Sequence, residues 1–216
     1  ETQSQGKGRL GRRWVSPKGG IWLSVILRPQ LVQMEVPKIT IIASLAVAEA
    51  IAELTGLEVK LKWPNDVLIH PISGIEFKKV CGVLTEMVSR VSRVNYIVVG
   101  IGINVNNRIS SNLRPRATSL KEVIGRDLSV ERLLKKVLEK FDKYYFGFKK
   151  GKMAPILREY KDRSAVLGRE VNVELPDGVI RGKAIDIDEY GALIVKTEEG
   201  RRRVVAGDVA IISKIM

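Results

Sequence analysis

The sequence predicts an α/β (α+β) protein, strands with flanking helices followed by a small β-barrel, and three observations predict it. Up to about residue 164, apolar runs of strand length are interrupted by two long helical patterns. From about Leu167, short strand-like runs alternate with the turn signals Pro176-Asp-Gly178, Tyr190-Gly191, Glu199-Gly200 and Gly207-Asp208. Five short strands in roughly fifty residues is the spacing of a small barrel. The chain has 216 residues, 45% of them hydrophobic, which is enough to bury a core on that plan. The expected units are therefore residues 1–164 and residues 167–216.

Taken in order, Gly20 to Arg28 reads as a buried strand closed by Pro29, which fixes φ and removes a donor. Pro37 opens a helix running from Lys38 to about Leu54. It is rich in Ile, Ala and Leu nearly all round, so it is expected to be mostly buried, and Gly56 ends it. Leu57 to Lys62 alternates like a strand, Trp63-Pro64-Asn65-Asp66 breaks it, and Val67 to Ile69 resumes extended structure. Lys79 to Glu86 and Tyr96 to Asn104 are two further strands, joined across Ser89 to Asn95. Residues Asn106 to Arg116 are polar and loop-like. Ser129 is placed to cap a helix that reaches about Phe146, with Glu131 in its first turn. A shorter helix is expected over Ala154 to Arg163.

Net charge is +13, from 37 Lys+Arg against 24 Asp+Glu, which points to an anionic partner: nucleic acid, nucleotide phosphate or an acidic protein. The basic residues are scattered, at Arg12-Arg13, Lys78-Lys79, Lys149-Lys150-Lys152 and Arg201 to Arg203, and no nucleic-acid module pattern accompanies them. No apolar run reaches membrane-spanning length. Cys81 is the only cysteine, so no intrachain disulfide can form, which fits a reducing cytoplasm. With His70 the only histidine, the usual Cys/His zinc sites are excluded.

Near the start, Gly6-Lys-Gly-Arg-Leu-Gly11 matches G-x-G-x-x-G, but its flanks are wrong for a dinucleotide fingerprint. No hydrophobic strand precedes it, and Arg12, Arg13 and Trp14 are followed by the loop residues Val-Ser-Pro-Lys-Gly-Gly. A Walker loop fails as well, because Gly11 is not followed by Lys and Ser/Thr. What remains is glycine backbone able to approach an anion, with Arg9 and Arg12 as forked donors. An anion site and a solvated basic loop are both open readings of this stretch. If it is a loop that closes over a bound ligand, it is expected to be mobile when empty, its arginines held by little but water.

Four segments stand together: Gln3 with Gly6 to Trp14, Lys62-Trp-Pro-Asn-Asp-Val67, Lys79-Val-Cys-Gly-Val-Leu-Thr-Glu86 and Gly100-Ile-Gly-Ile-Asn-Val105. Gly168, Ile185 to Leu193 and Gly207-Asp-Val209 continue the pattern. In this order and at these spacings the chain resembles the biotin protein ligases (biotin–[acetyl-CoA-carboxylase] ligases), over nearly its whole length. The resemblance implies a mixed β-sheet flanked by helices, related to class II aminoacyl-tRNA synthetases, followed by an SH3-like barrel. It implies a reaction in two steps. Biotin and ATP, with Mg²⁺, give biotinyl-5′-AMP and pyrophosphate; a lysine of a biotin carboxyl carrier domain then takes the biotin and AMP leaves.

By the same resemblance, Gln3, Gly6, Lys7, Gly8, Arg9, Lys79, Gly82, Gly100 and Gly102 border biotin. Arg9, Arg12, Trp14, Asn65, Lys79 and Asn104 border ATP, with Trp14 covering the adenine. Lys79, Arg9 and Asp66 are the expected catalytic residues, and Asp66 also a candidate to place Mg²⁺. The residue types suit this chemistry, because two anions must meet and fixed cations must offset their repulsion. Glycines at 82, 100 and 102 let strand backbone approach the rings. Trp63 reads as a packing residue, and Cys81 as a small buried residue on the strand face of Lys79. Homodimerisation is compatible with the resemblance.

Two departures stand out. The resemblance implies a strand and helix ahead of Glu1, with a Ser/Thr-Thr/Ser-Asn segment against biotin, and in repressor members a DNA-binding domain before that; nucleic acid is expected as a partner only through such a domain. On the final barrel strand, Ile212 stands where an arginine often reaches the nucleotide. Two other readings compete: a lipoate–protein ligase of the same fold, and a non-catalytic basic nucleic-acid-binding protein motivated by the charge alone.

Overall fold

A sheet with one face under a helix and the other face open is the frame of the first unit. The structure is a computed structural model and describes residues 2–71, 76–90 and 93–212. Strands β1 (Ile21–Leu27), β2 (Val59–Lys62), β3 (Asp66–Ile69), β4 (Lys78–Arg90) and β5 (Arg93–Ile103) form a five-stranded sheet in the order β1-β5-β4-β3-β2. All its ladders are antiparallel, and among the described residues parallel pairing is confined to the isolated bridges Leu61–Ser164 and Lys79–Ala117. β4 and β5 run past their expected ends to Arg90 and Arg93; Val91 and Ser92, within the expected connection, lie outside the described residues.

Alternation decides which face is which. On β5, Ile97, Val99, Ile101 and Ile103 are buried, while Val98, Gly100 and Gly102 point the other way. The buried row packs on α1 (Val36–Thr55), whose Ile, Leu and Ala positions are shut from solvent nearly all round, as its composition predicts. Gly56, at φ 71°, closes this helix in the left-handed conformation that a Cβ disfavours. Helix α3 (Val130–Lys149) crosses α1 antiparallel: Lys136 pairs with Glu53 at 2.9 Å and Lys140 with Glu49 at 2.8 Å, so the partners run in reverse order. Ser129 caps it, accepting from the Arg132 N–H at 3.1 Å. Helix α4 (Met153–Asp162) completes the layer. The sequence reading did not anticipate α2 (Leu120–Ile124), held between the Ser119 cap and Gly125. Five residues are too few to leave a periodic signal.

The five strands expected after residue 167 are present as β6 (Glu170–Leu175), β7 (Gly178–Ile187), β8 (Leu193–Thr197), β9 (Gly200–Val204) and β10 (Asp208–Ile211). They form one antiparallel sheet in the order β10-β6-β7-β8-β9. Backbone bonds from Leu61 N–H to Arg163 and from Ala165 N–H to Leu61, each 2.8 Å, tie the start of this region to β2. Trp63, 2% exposed, donates from Nε1 to the Gly191 carbonyl at 2.9 Å, so it is a packing residue with its polar atom satisfied. Among the described residues no helix is long and apolar enough to cross a membrane.

Candidate functional site

The face of the first sheet not covered by α1 forms the floor of a cleft of ≈ 1310 Å³. Its walls come from the glycine loop, the Trp63–Asp66 turn, the 107–117 segment and the C-terminal residues Arg169, Asp208 and Ile211. Ten lysines and arginines line it against four carboxylates, so the excess positive charge of the chain is concentrated where a ligand would enter.

The glycine loop is a hairpin. Gln3 N–H bonds Ser16, Trp14 N–H bonds Gly6 at 2.8 Å, and Gly8 N–H bonds Arg12 at 2.7 Å. Its tip turns through Leu10 (φ 55°) and Gly11 (φ 70°), and Leu10, in a conformation that L side chains rarely adopt, is 67% exposed. The expectation that its arginines meet only water is corrected. Arg9 donates from Nη1 to Asp208 Oδ1 and the Gly207 carbonyl, both at 3.2 Å, and to Asn65 Oδ1 at 3.3 Å. Arg12 Nη2 pairs with the other oxygen of Asp208. Burial pulls the Arg9 pKa below its ordinary value, opposed by the charges of Asp208 and Asp66.

Gly6 is buried and off the cleft wall, because a Cβ there would fall 2.3 Å from the Trp14 carbonyl oxygen; it serves the hairpin itself. Gln3, Lys7 and Gly8 do line the cleft, with Gln3 Oε1 accepting from the Ser16 hydroxyl at 3.2 Å. Gly82 and Gly102 pave the floor, and the ring lying on them is the chain's own Trp14. A Cβ on Gly102 would sit 2.6 Å from that indole, and one on Gly82 would sit 3.0 Å from it. Gly100 has only ordinary contact with Leu84. Trp14 Nε1 is buried without a hydrogen-bond partner.

Lys79 reaches the cleft because β4 carries a bulge. Leu68 pairs with Lys79 and Val67 with Cys81, which leaves Val80 as the extra residue. The bulge breaks the strand's alternation, and it corrects the expectation that Lys79 and Cys81 share a face. Cys81 is fully buried in the core, where burial pushes its thiol pKa up, while Lys79 lies over the floor with Nζ 5.2 Å from the Trp14 ring centre. Lys79 Nζ is 2.5 Å from Asp66 Oδ1, an ion pair outside hydrogen-bonding geometry. The 116–118 segment straps this strand: Lys79 N–H bonds the Arg116 carbonyl and Thr118 N–H bonds that of Lys79, both at 3.0 Å.

Asn65 lies on the cleft, donating to the Val83 carbonyl at 2.8 Å while its oxygen takes Arg9. The Asn104 amide is spent on the scaffold, donating to the Thr118 carbonyl at 3.2 Å and accepting from Asn107 at 3.1 Å. Ile212 is 44% exposed and bonds Glu170 through its backbone. Two features escaped the sequence reading: the Asp208 carboxylate, seen there only as part of a turn and tail pattern, and the strap on Lys79. Among the described residues no three His, Cys, Asp or Glu side chains gather as a metal cluster.

Two family models match the chain: the biotin/lipoate A/B protein ligase family over residues 1–104 and the biotin protein ligase C-terminal domain over residues 166–211. The chain is 34% identical to the bifunctional ligase/repressor BirA of Bacillus subtilis, covering 98% of this chain and 64% of that protein. It therefore spans less than two thirds of that relative. It is 30% identical to the biotin–[acetyl-CoA-carboxylase] ligase of Paracoccus denitrificans, covering 96% of this chain and 86% of that protein. The solved biotin protein ligase of Aquifex aeolicus in complex with biotin and ATP superposes with a TM-score of 0.83 at 34% identity, covering 98% of this chain and 86% of that one.

Proposed function

The chain belongs to the biotin protein ligase family, and we propose that it activates biotin with ATP and passes it to a lysine of a biotin carboxyl carrier domain. The observation that carries this reading is the meeting of Arg9, Arg12 and Lys79 on one cleft whose floor is Gly82 and Gly102 with the Trp14 ring upon them. In the first step a biotin carboxylate oxygen bonds the α-phosphorus, the bond from that phosphorus to the bridging oxygen breaks, and pyrophosphate leaves. Lys79 and Arg9 offset the repulsion between carboxylate and phosphate and stabilise the charge that builds during attack. Asp66 holds Lys79 on the floor, and Asn65 orients Arg9. In the second step the carrier lysine, as free amine, bonds the mixed anhydride carbonyl carbon, the bond from that carbon to the phosphate oxygen breaks with its pair leaving on AMP, and the nitrogen gives up one proton to solvent.

The floor at Gly100, beside the Trp14 ring that lies on Gly82 and Gly102, is assigned to biotin, with Gln3, Gly8 and the backbone of Lys7 next to it. The nucleotide is assigned to Arg12, Trp14 and Asn65, and Asn104 acts by fixing the end of β5. Mg²⁺ bound to ATP needs only one or two protein carboxylates besides phosphate and water, and Asp66, facing the cleft, fits that need. The metal would supply neutralising charge on the phosphates. Residues 1–164 are taken as the catalytic unit and 167–216 as the barrel that closes over it. A cytoplasmic location belongs to the same proposal and rests on the single buried thiol.

The test is exchange of labelled pyrophosphate into ATP. Exchange that depends on biotin and not on lipoate is expected. No exchange, with DNA binding that falls steeply with salt, would instead favour the basic nucleic-acid binder.

A further inference from the structure

On the hairpin, two cations of the cleft wall face each other directly with no counter-ion between them. The hydrogen bonds Trp14 N–H to Gly6 and Gly8 N–H to Arg12 frame Lys7 and Arg13 as directly facing residues that do not bond each other. In an antiparallel pair this is the closer type, with Cα atoms about 4.5 Å apart and both side chains on one face. Like charges placed so are destabilising. Every other cation so far assigned to the site has a carboxylate: Asp208 for Arg9 and Arg12, Asp66 for Lys79. Among the described residues no carboxylate lies within ion-pair distance of Lys7 or Arg13, and both side chains are exposed on the cleft wall. The hairpin thus keeps a repulsive contact that an anion would turn into an attractive one.

We propose that Lys7 and Arg13 form a polyphosphate station that holds the β- and γ-phosphates of ATP and then the departing pyrophosphate. The inference rests on the ligase reading above and deepens it. A single carboxylate would leave the pair net positive, whereas pyrophosphate carries enough charge and two phosphoryl groups to bridge both heads. The division of roles follows from the hairpin's alternation. Arg12 and Trp14 fall on the opposite face from Arg13, so the α-phosphate region and the leaving-group region are served by different rows of one hairpin.

The experiment uses sodium pyrophosphate on the whole chain without biotin, with wild type, Lys7→Gln, Arg13→Gln and Arg13→Lys. Calorimetric affinity for pyrophosphate is expected to fall about tenfold in each glutamine variant and to stay within about threefold in Arg13→Lys. Thermal unfolding at low salt adds a readout of opposite sign. Without anion, Arg13→Gln melts no lower than wild type, since repulsion is relieved; with pyrophosphate, wild type melts higher. Wild-type pyrophosphate affinity in Arg13→Gln overturns the proposal. So does sodium chloride or sulfate at matched ionic strength raising the wild-type melting temperature as much as pyrophosphate does. Failure of the ligase reading looks different: pyrophosphate would bind through Arg13, yet no biotin-dependent exchange would occur.

Discussion

Removing the Asp208 charge, as Asp208→Asn, separates two roles of the hairpin arginines. Asp208 Oδ1 is 3.2 Å from Arg9 Nη1, with the two side chains 23% and 21% exposed, so this contact is partly desolvated. A hydrogen bond between charged groups in such a setting contributes about 1.5–3 kcal/mol. Arg12 is 64% exposed, and its pairing with the same carboxylate adds no more than about 0.5 kcal/mol after solvent screening. Arg9 keeps Gly207 and Asn65 as acceptors in the variant, so the net loss is on the order of 2 kcal/mol. At roughly 2–4 °C per kcal/mol for a chain of this size, the ligand-free protein should melt about 4–8 °C lower. ATP should respond in the other direction. Asp208 competes with phosphate for both arginines, and without it the ATP dissociation constant should fall several-fold by titration calorimetry. A melting temperature within about 1 °C of wild type, or weaker ATP binding, would refute this role of Asp208.

Lys79→Ala should slow biotinyl-adenylate formation by about 10²–10³ in single-turnover assays while biotin affinity changes far less, since the ammonium acts where charge builds; near-normal exchange at saturating substrates contradicts this. Gly102→Ala places a methyl about where the Trp14 indole now lies, 2.6 Å from it, so the ring must lift. The expected result is shifted tryptophan emission and weaker biotin binding, and unchanged emission argues against the packed ring. Glu53 is held down to about 2 by hydrogen bonds from Lys140 and Lys136. Its folded pKa is below the unfolded value, so its stabilisation is present above about pH 4.5 and is lost as pH falls towards 2. Glu53→Gln should therefore flatten the acid limb of the stability profile between those values, and an acid limb identical to wild type would remove the α1–α3 ion pairs as its cause.

The sequence by itself determined what depends on neighbours along the chain. The helix opened by Pro37 and closed by Gly56 is written locally, as is the one capped by Ser129, because caps and apolar periodicity act within a few residues. The five strands after Leu167 were legible through their turn pairs, and the segments that line the cleft through the order of four motifs. The tertiary structure decided what depends on partners far away. Alternation along β4 sends Lys79 and Cys81 to one face; only the extra residue opposite β3, at Val80, turns the lysine to the cleft and leaves the thiol in the core. A bulge is a mismatch between two strands, so one strand's sequence does not contain it. Arg9 and Asp208 stand 199 positions apart, and their ion pair exists because the C-terminal sheet docks against the hairpin. Trp14 lies on Gly82 and Gly102 for the same reason: two bare glycines on neighbouring strands make a surface only once β4 and β5 are paired, in a register set by side-chain packing across the whole sheet.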